Sequence, residues 1–242
     1  MFDFSEKTVL VTGSTQGIGF SIAKGLSQKG ALIYVNGASS MEKCKNACTQ
    51  IPGSRPAFIS LEDDDCAEKL FDLTGPVDIL VLNASIQIRA GWQDITLEQF
   101  SQQMKINVQS NLALIQKYAP PMLEKRWGRI LSVGSVQQVK PHPDMTVYAA
   151  GKCALMSMVT NFAKQFAPYG VTVNNLSPGV IDTPRNALAL ANTKYSQMVL
   201  SRIPCGYAGT PEDCVAGALL LCSQEGRYIT GIDLPIDGGM RL

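Results

Sequence analysis

Three side chains in the second half of the chain have types and spacing that suit proton transfer. Tyr148 and Lys152 lie four residues apart, so a helix would place them on one face, about 6 Å apart. A phenol ordinarily loses its proton near pH 10, but a neighbouring ammonium favours the phenolate and lowers that pKa. The hydroxyl of Ser135 could hold a carbonyl or alcohol oxygen while the proton moves. Together these groups predict acid/base chemistry at such an oxygen.

The tyrosine and lysine alone are also typical of an exposed helix face, so the prediction depends on the elements around them. A glycine-rich turn with the spacing G-x-x-x-G-x-G covers residues 13–19 and follows an apolar, β-branched run at 8–11. That run is typical of a strand buried on both faces. Helical spacing follows the turn, and a helix start offers unpaired N–H groups and a positive dipole end to a phosphate. Such a turn also occurs without a ligand, but its place between strand and helix favours nucleotide binding.

Apolar strand patterns alternate with helical patterns along the chain, which predicts one α/β domain with a parallel sheet. A long helix is expected over 96–125, with a kink or break at Pro120 and Pro121, because proline removes a helical N–H. Residues 180–208 are less regular and are predicted to form a mobile substrate lid. The strands are predicted at residues 8–11, 31–35, 57–59, 77–82, 129–133, 171–174 and 232–236.

The composition argues against several classes of protein. The formal net charge of +1 argues against nucleic-acid binding, which requires a basic face. The sequence has no apolar span of about 18 residues, so no transmembrane helix is expected, and residues 1–7 do not resemble a signal peptide. The seven cysteines form no C-x-x-C pair, and with one histidine in the chain we expect reduced thiols and no metal site. We therefore expect a cytoplasmic protein that binds neither nucleic acid nor membrane.

The ordered set of motifs resembles the short-chain dehydrogenase/reductase family in its single-domain form. The resemblance covers nearly the whole chain. It implies a Rossmann-type, doubly wound α/β fold with a mostly parallel seven-stranded sheet and helices on both faces. It also implies one dinucleotide-binding catalytic domain over residues 1–242 and assembly as a homotetramer or homodimer. The motifs are the glycine turn, Asn83-Ala84, Ser135, Tyr148-Ala149-Ala150-Gly151-Lys152, Asn174 and Pro178-Gly179.

The resemblance implies roles for individual residues. Tyr148 would be the catalytic acid/base, Ser135 would orient the substrate oxygen, and Lys152 would lower the tyrosine pKa and bind the nicotinamide ribose. Asn107 would position a water for proton relay to Lys152. Gln137, close to Ser135 in sequence, is a candidate for substrate contact. The expected cofactor-binding residues are Gly13, Thr15, Gln16, Gly17, Ile18, Gly19, Ser39, Asn83, Ala84, Tyr148, Lys152, Pro178, Gly179, Ile181 and Thr183.

The sequence departs from the family pattern at a few positions. Ser85 replaces the glycine of the usual Asn-Ala-Gly motif, and Gly151 replaces the usual serine before the lysine. Ser60-Leu61 stands where many members have an aspartate that contacts adenine. Residues 37–40 contain neither the acid that selects NAD nor an arginine for a 2′-phosphate. Since nothing there repels a phosphate and the serines could bind it, the sequence favours NADP, with NAD as the alternative.

The predicted function is hydride transfer between a nicotinamide cofactor and a secondary alcohol or ketone, with Tyr148 giving or taking the hydroxyl proton. Sugar acids, polyols and 3-oxoacyl groups are the candidate substrates, and Gln137-Gln138 favours a hydroxylated one. Trp92 is expected to be a packing residue, with substrate contact as the alternative, and His142 is expected at the mouth of the site. The alternative is a nucleotide-sensing or scaffold protein without turnover, against which the three intact catalytic residues argue.

Overall fold

The computed structural model describes residues 2–242, along which strands and helices alternate. The strands are β1 (Thr8–Val11), β2 (Leu32–Gly37), β3 (Arg55–Phe58), β4 (Ile79–Leu82), β5 (Gly128–Val133), β6 (Val171–Pro178) and β7 (Asp233–Ile236). The helices are α1 (Gly17–Ser27), α2 (Met41–Thr49), α3 (Cys66–Thr74), α4 (Leu97–Met104), α5 (Ser110–Lys125), α6 (Thr146–Phe166), α7 (Ala187–Ala191), α8 (Thr193–Leu200) and α9 (Asp213–Cys222).

The sheet has seven strands in the order β3-β2-β1-β4-β5-β6-β7, and every neighbouring pair is parallel. This confirms the predicted Rossmann-type sheet. The strand order reverses between β1 and β4, and such a reversal opens a crevice at the carboxyl ends of the strands, where ligands bind. The register pairs Val11 with Val81, so the loops that follow β1 and β4 start side by side.

Alternate residues of the central strands point to opposite faces and build one core on each side of the sheet. Val9 and Val11 of β1 pack into the core beneath α1 and α9, whereas Leu10 packs into the core beneath α3, α5 and α6. Strand β4 repeats the pattern, with Val81 in the first core and Leu80 in the second. Burial on both faces explains why these strands read as continuous apolar runs.

Strand β6 runs past its predicted end at residue 174, because its polar residues have buried partners. Asn175 Nδ2 and Ser177 Oγ donate to the Asp233 carboxylate of β7, at 2.7 and 2.6 Å. The amide oxygen of Gln138 accepts from the same two groups, at 3.2 Å each. Asparagine and serine are depleted in strands and end the apolar pattern early. The extension brings the loop after β6 to the crevice.

The helix predicted over 96–125 is interrupted, but not at the prolines. Helix α5 is continuous through Pro120 and Pro121, so the chain does not break there, and the alternative of a kink stays a prediction. Buried side chains on both sides of the prolines hold α5 against the sheet and offset the missing helical hydrogen bonds. The interruption is a π-helical turn at Lys105–Gln109, between α4 and α5. Such turns occur often at functional sites, and they leave no sign in the spacing of apolar residues.

The composition also led to expectations about membrane spans, cysteines and metal sites, on which residues 2–242 give three observations. No helix in residues 2–242 is long and apolar enough to cross a bilayer. All seven cysteines are free, including Cys44 and Cys48 on α2. Over the same residues, no group of three or more His, Cys, Asp or Glu side chains is arranged to hold a metal ion.

Candidate active site

A cleft of about 760 Å³ opens at the carboxyl ends of β1 through β6. Its walls are the loops that follow these strands, the start of α1, part of α6 and residues from segment 180–208. Of the predicted site residues, Gly19 and Asn107 do not line it. The others do: Gly13, Thr15, Gln16, Gly17, Ile18, Ser39, Asn83, Ala84, Ser135, Gln137, Tyr148, Lys152, Pro178, Gly179, Ile181 and Thr183.

The glycine turn after β1 has a backbone conformation that favours glycine. Gly13 and Gly17 both have a φ of +61°. A Cβ at Gly13 would lie 2.8 Å from the Cα of Ala84, so only a bare backbone fits against the loop after β4. Helix α1 begins at Gly17 without a side-chain cap and without an acidic residue in its first turn. Because Gly17 and Ile18 line the cleft, the first N–H groups of α1 are available to an anion there.

Hydrogen bonds join this turn to the end of β4. Asn83 Nδ2 donates to the carbonyls of Thr12 and Gly13, each at 2.9 Å. Thr12 Oγ1 accepts from the backbone N–H groups of Asn83 and Ala84, each at 3.0 Å. Gly19 packs against the Asn83 amide, where any side chain would collide with it. Gly19 therefore supports the turn from behind the cleft wall.

Tyr148 and Lys152 lie near the start of α6, as their spacing predicts, and Ser135 follows β5. Lys152 Nζ lies 5.6 Å from the centre of the Tyr148 ring. The same ammonium donates a 2.6 Å hydrogen bond to the Val133 carbonyl, which fixes its position. Ser135 Oγ accepts from the Gln137 N–H at 3.2 Å, so its own O–H is available to donate to a ligand. The three groups predicted for acid/base chemistry thus meet in one place.

The surroundings of Tyr148 and Lys152 lower the pKa values of both groups. The two side chains are only 5% and 2% exposed. Burial is the largest single influence and disfavours the phenolate, but the positive charges of Lys152 and Arg185, with smaller contributions from Ser135 and Ser85, together outweigh it, so the pKa of Tyr148 lies below its ordinary value. Burial also lowers the pKa of Lys152, because the ammonium loses hydration. A lowered pKa makes the phenol a better acid/base partner for a substrate oxygen.

Asn107 lies in the π-helical turn and holds the segment that follows β4. Its Nδ2 donates to the Ile86 carbonyl and its Oδ1 accepts from the Ile86 N–H, each at 2.8 Å. Its own carbonyl accepts from Asn111 Nδ2 at 2.7 Å. Gly151 of α6 packs against it, since a Cβ there would lie 3.7 Å from the Asn107 Cβ. The side chain therefore has a positioning contact, and its part in a water relay to Lys152 stays a prediction.

Segment 180–208 forms one wall of the cleft and contains α7 and α8. Ile181, at its start, is buried and anchors the segment. Tyr195 of α8 lies beside Arg89 of the loop after β4, with 5.9 Å between the guanidinium carbon and the ring centre. The mobility of this predicted lid stays a prediction. Its apolar lining residues on α7 and α8 are Ala189, Leu190, Met198 and Val199.

The remaining candidates for substrate contact divide into two groups. Gln137 and His142 line the cleft, and the Gln137 amide oxygen accepts from the His142 N–H at 2.6 Å. Gln138 does not line it, because its amide oxygen serves the buried hydrogen bonds of β6. Trp92 is 76% exposed and lies outside the wall, so the predicted packing role is wrong. The structure thus leaves Gln137 as the one glutamine of the pair in the cleft.

Arg185 and Ser85 are cleft residues whose place in the site was not predicted. Arg185 Nη1 donates to Ser85 Oγ at 3.1 Å, and its Nη2 donates to the Ser85 carbonyl at 2.6 Å. Arg89 and Arg202 also line the cleft. The serine at position 85, in place of the glycine of Asn-Ala-Gly, marks this position as unusual in the sequence. No sequence spacing indicates that its partner is an arginine 100 residues away.

Comparison with known proteins shows which chemistry this arrangement belongs to. The family model described as enoyl-(acyl carrier protein) reductase matches residues 13–241. The chain is 31% identical to 3β-hydroxysteroid dehydrogenase 1 of Eggerthella lenta, over 99% of this chain and 95% of that protein. The chain belongs to the short-chain dehydrogenase/reductase family. Members are NAD(P)-dependent oxidoreductases of hydroxyl and keto groups, and membership confirms the predicted family and enzyme class.

Solved structures of other short-chain dehydrogenases/reductases match nearly the whole chain. The 3-oxoacyl-(acyl-carrier-protein) reductase of Agrobacterium tumefaciens C58, solved with NADP bound, is 32% identical with a TM-score of 0.92, covering 98% of this chain and 95% of its own. The gluconate 5-dehydrogenase of Burkholderia cenocepacia J2315, solved with NADP and tartrate, is 27% identical with a TM-score of 0.91, covering 99% and 96%. Because these relatives are named for different substrates, the family sets the reaction class and the cleft must set the substrate.

Proposed function

We propose that this chain catalyses reversible hydride transfer between a nicotinamide dinucleotide and a secondary alcohol or ketone, with Tyr148 as the acid/base. The observation that carries the proposal is the meeting of a phenol with a lowered pKa, a buried ammonium and a free hydroxyl in one cleft. When bound, the cofactor would supply or accept the hydride at C4 of its nicotinamide ring. The protein's own residues manage the proton and the substrate oxygen.

In the oxidation direction, the hydroxyl proton of the alcohol passes to the Tyr148 phenolate while the carbinol carbon loses its hydride. The O–H and C–H bonds break, the C=O bond forms, and Tyr148 is left as the neutral phenol. The Ser135 hydroxyl donates to the substrate oxygen and holds it within reach of Tyr148. Lys152 favours the phenolate that accepts the proton. In the reduction direction, Tyr148 donates the proton to the carbonyl oxygen.

The cleft fits a dinucleotide that extends from the glycine turn to Tyr148. Gly13 lets the turn pack directly against the loop after β4, and the start of α1 would bind the pyrophosphate. A Cβ at Gly17 would lie 3.5 Å from Thr183 Cγ2, so the loop after β6 closes over the turn. In this arrangement Lys152 would hold the nicotinamide ribose and Thr183 the carboxamide.

NADP is the preferred cofactor in this proposal, with NAD as the alternative. Ser39 lines the cleft just after β2, whereas the Ser40 hydroxyl caps α2 by accepting from the Lys43 N–H at 3.1 Å. Among residues 2–242, Glu62 is the one acidic residue in the cleft wall, and none follows β2 to repel a 2′-phosphate. The NADP bound in both solved relatives supports this choice.

The experiment that tests the proposed function is a turnover survey with purified protein. NADP and NAD, in both redox states, are paired with sugar acids, polyols and 3-oxoacyl thioesters, and the absorbance of the reduced nicotinamide is followed. We expect turnover of at least one class, which Tyr148→Phe abolishes. Cofactor binding without turnover of any class would favour a sensing or scaffold role instead.

We also propose that the protein is a cytoplasmic homotetramer or homodimer. Exposed apolar side chains on α4, at Leu97 and Phe100, and beside β7, at Tyr228 and Ile232, support interfaces at those elements. The free state of the cysteines in residues 2–242 supports a reducing compartment. Light scattering after size-exclusion chromatography checks the assembly, and a monomer mass would contradict it.

A further inference from the structure

The charged side chains in the cleft wall are mostly basic. Glu62, after β3, is the one acid among the described lining residues. Neither hydride transfer nor the Tyr148 proton transfer needs this excess of positive charge beyond Lys152. The excess suits an anionic ligand, either the phosphates of the cofactor or an acidic group of the substrate. The basic and potentially basic lining residues besides Lys152 are Arg89, His142, Arg185 and Arg202.

Arg185 is the best placed of these residues to meet a substrate. Its two hydrogen bonds to Ser85 fix the guanidinium beside the loop after β4. A guanidinium has five N–H donors, so the two bonds to Ser85 leave three for a ligand. Within residues 2–242 Arg185 forms no salt bridge, so no carboxylate of the protein balances its charge. It lines the same cleft as Tyr148, and its positive charge helps to lower the pKa of that phenol.

Arg89 is less suited to bind an anion, because a carboxylate already balances its charge. Its Nη2 lies 3.6 Å from the Asp144 carboxylate and 3.3 Å from His142 Nε2. The guanidinium also lies beside the ring of Tyr195 from α8. Arg89 therefore joins the loop after β4 to the wall formed by segment 180–208. Arg202 is exposed and no hydrogen bond within residues 2–242 fixes its side chain, so Arg185 is the better-placed cation for a ligand.

We propose that the substrate carries a carboxylate that binds the free N–H donors of Arg185 while its alcohol or keto group reaches Tyr148. This inference rests on the proposed function, since it names the substrate class of the same site. A planar carboxylate can accept two parallel N–H bonds from a guanidinium. The substrates are then hydroxy acids and the matching oxo acids, and not neutral polyols, sterols or acyl thioesters.

The experiment measures binding rather than turnover. Isothermal titration is carried out on the protein saturated with NADPH, because a reduced cofactor and an alcohol cannot react with each other. The acidic probes are tartrate and gluconate, and their neutral partners of equal carbon number are threitol and sorbitol. Inorganic phosphate is a separate probe. Wild type is compared with Arg185→Gln and with Arg227→Gln, a matched control at an exposed arginine outside the cleft.

We expect an acid to bind wild type at least ~10-fold more tightly than its neutral partner, as a charge-assisted contact requires. Arg185→Gln should remove most of that difference, Arg185→Lys should retain part of it, and Arg227→Gln should behave as wild type. Equal binding of acids and neutral partners, or no acid binding at all, would overturn the inference. The inference would also be overturned if Arg185→Gln weakened NADPH binding by the same factor as acid binding, since Arg185 would then serve the cofactor. Tighter binding of inorganic phosphate than of either acid would replace the carboxylate with a phosphate ester.

The two proposals fail in different ways. Acids that bind through Arg185 but are never turned over with NADP or NAD would contradict the proposed function and leave the carboxylate site standing. Turnover of a neutral alcohol with no preference for acids would contradict the carboxylate site and leave the proposed function standing.

Discussion

Lys152 Nζ lies 5.6 Å from the centre of the Tyr148 ring, one helical turn along α6. The hydrogen bond from Lys152 to the Val133 carbonyl holds the ammonium in this place. Because both side chains are buried, little water screens the charge, and the pKa of Tyr148 lies below its ordinary value despite the cost of burying a phenolate. The pair therefore predicts how the reaction rate depends on pH.

Lys152→Met should move the pH dependence of alcohol oxidation to higher pH. Oxidation requires the phenolate, so kcat/KM rises as pH increases through the Tyr148 pKa. Removing the ammonium takes away a group that lowers this pKa, so the rise should begin at higher pH and activity near neutrality should fall. The measurement is a pH profile of kcat/KM. Lys164→Met, at an exposed lysine on α6, is the control. Coincident profiles for Lys152→Met and wild type would contradict the role of Lys152.

Gly13→Ala should remove cofactor binding and destabilise the fold more than Gly53→Ala does. Both glycines have positive φ, at +61° and +68°, so alanine is strained at either. We expect that strain to cost roughly 1–2 kcal/mol of unfolding free energy at Gly53, where an added Cβ meets no atom within 4 Å. At Gly13 the Cβ also collides with Ala84, which adds about 1–3 kcal/mol. Urea unfolding and NADPH titration check both variants, and equal losses of stability would refute the backbone contact.

Ser39→Asp should reverse the cofactor preference. Ser39 lines the cleft after β2, where a carboxylate would repel a 2′-phosphate and accept a hydrogen bond from a 2′-hydroxyl. We expect NADPH affinity to fall at least ~10-fold, with little loss of NADH affinity. Fluorescence titration with both cofactors measures this, and NADH serves as the internal control. An equal loss for both cofactors would mean that Ser39 does not face the phosphate.

Asn107→Ala should destabilise the protein through the loop after β4. The substitution leaves the N–H and carbonyl of Ile86 without the partners that the Asn107 amide provides. We expect a loss of about 1–3 kcal/mol in unfolding free energy. Asn46→Ala, on the exposed face of α2, is the matched control and should change stability little. If the two variants are equally stable, Asn107 does not hold this loop.

The fold could be predicted largely from β1, β4 and the glycine turn. Val9, Leu10 and Val11 are buried on alternate faces, so each strand is a continuous apolar run that is visible in sequence. The end of β6 could not be predicted, because it depends on Asn175 and Ser177 meeting Asp233 from another strand. The π-helical turn at Lys105–Gln109 was missed for a related reason, since it follows from packing around Asn107 and not from local propensity.

The candidate site was predictable where the chemistry lies on one element and unpredictable where it joins distant ones. The spacing of Tyr148 and Lys152 places them one turn apart on α6. Ser135 follows β5, the strand that precedes α6 in the chain. The contact of Arg185 with Ser85 joins loops after β6 and β4, so only the folded chain shows it. The same contact supports the inference of an acidic substrate.

The most direct test of the proposed mechanism is Tyr148→Phe, which removes one hydroxyl and keeps the ring. Steady-state turnover and NADPH binding are measured on the same preparation. We expect kcat to fall ~10²–10⁴-fold, because the acid/base is lost. NADPH affinity should stay close to that of wild type, because the glycine turn and the start of α1 are unchanged. Turnover equal to that of wild type would contradict Tyr148 as the acid/base, and with it the proposed mechanism.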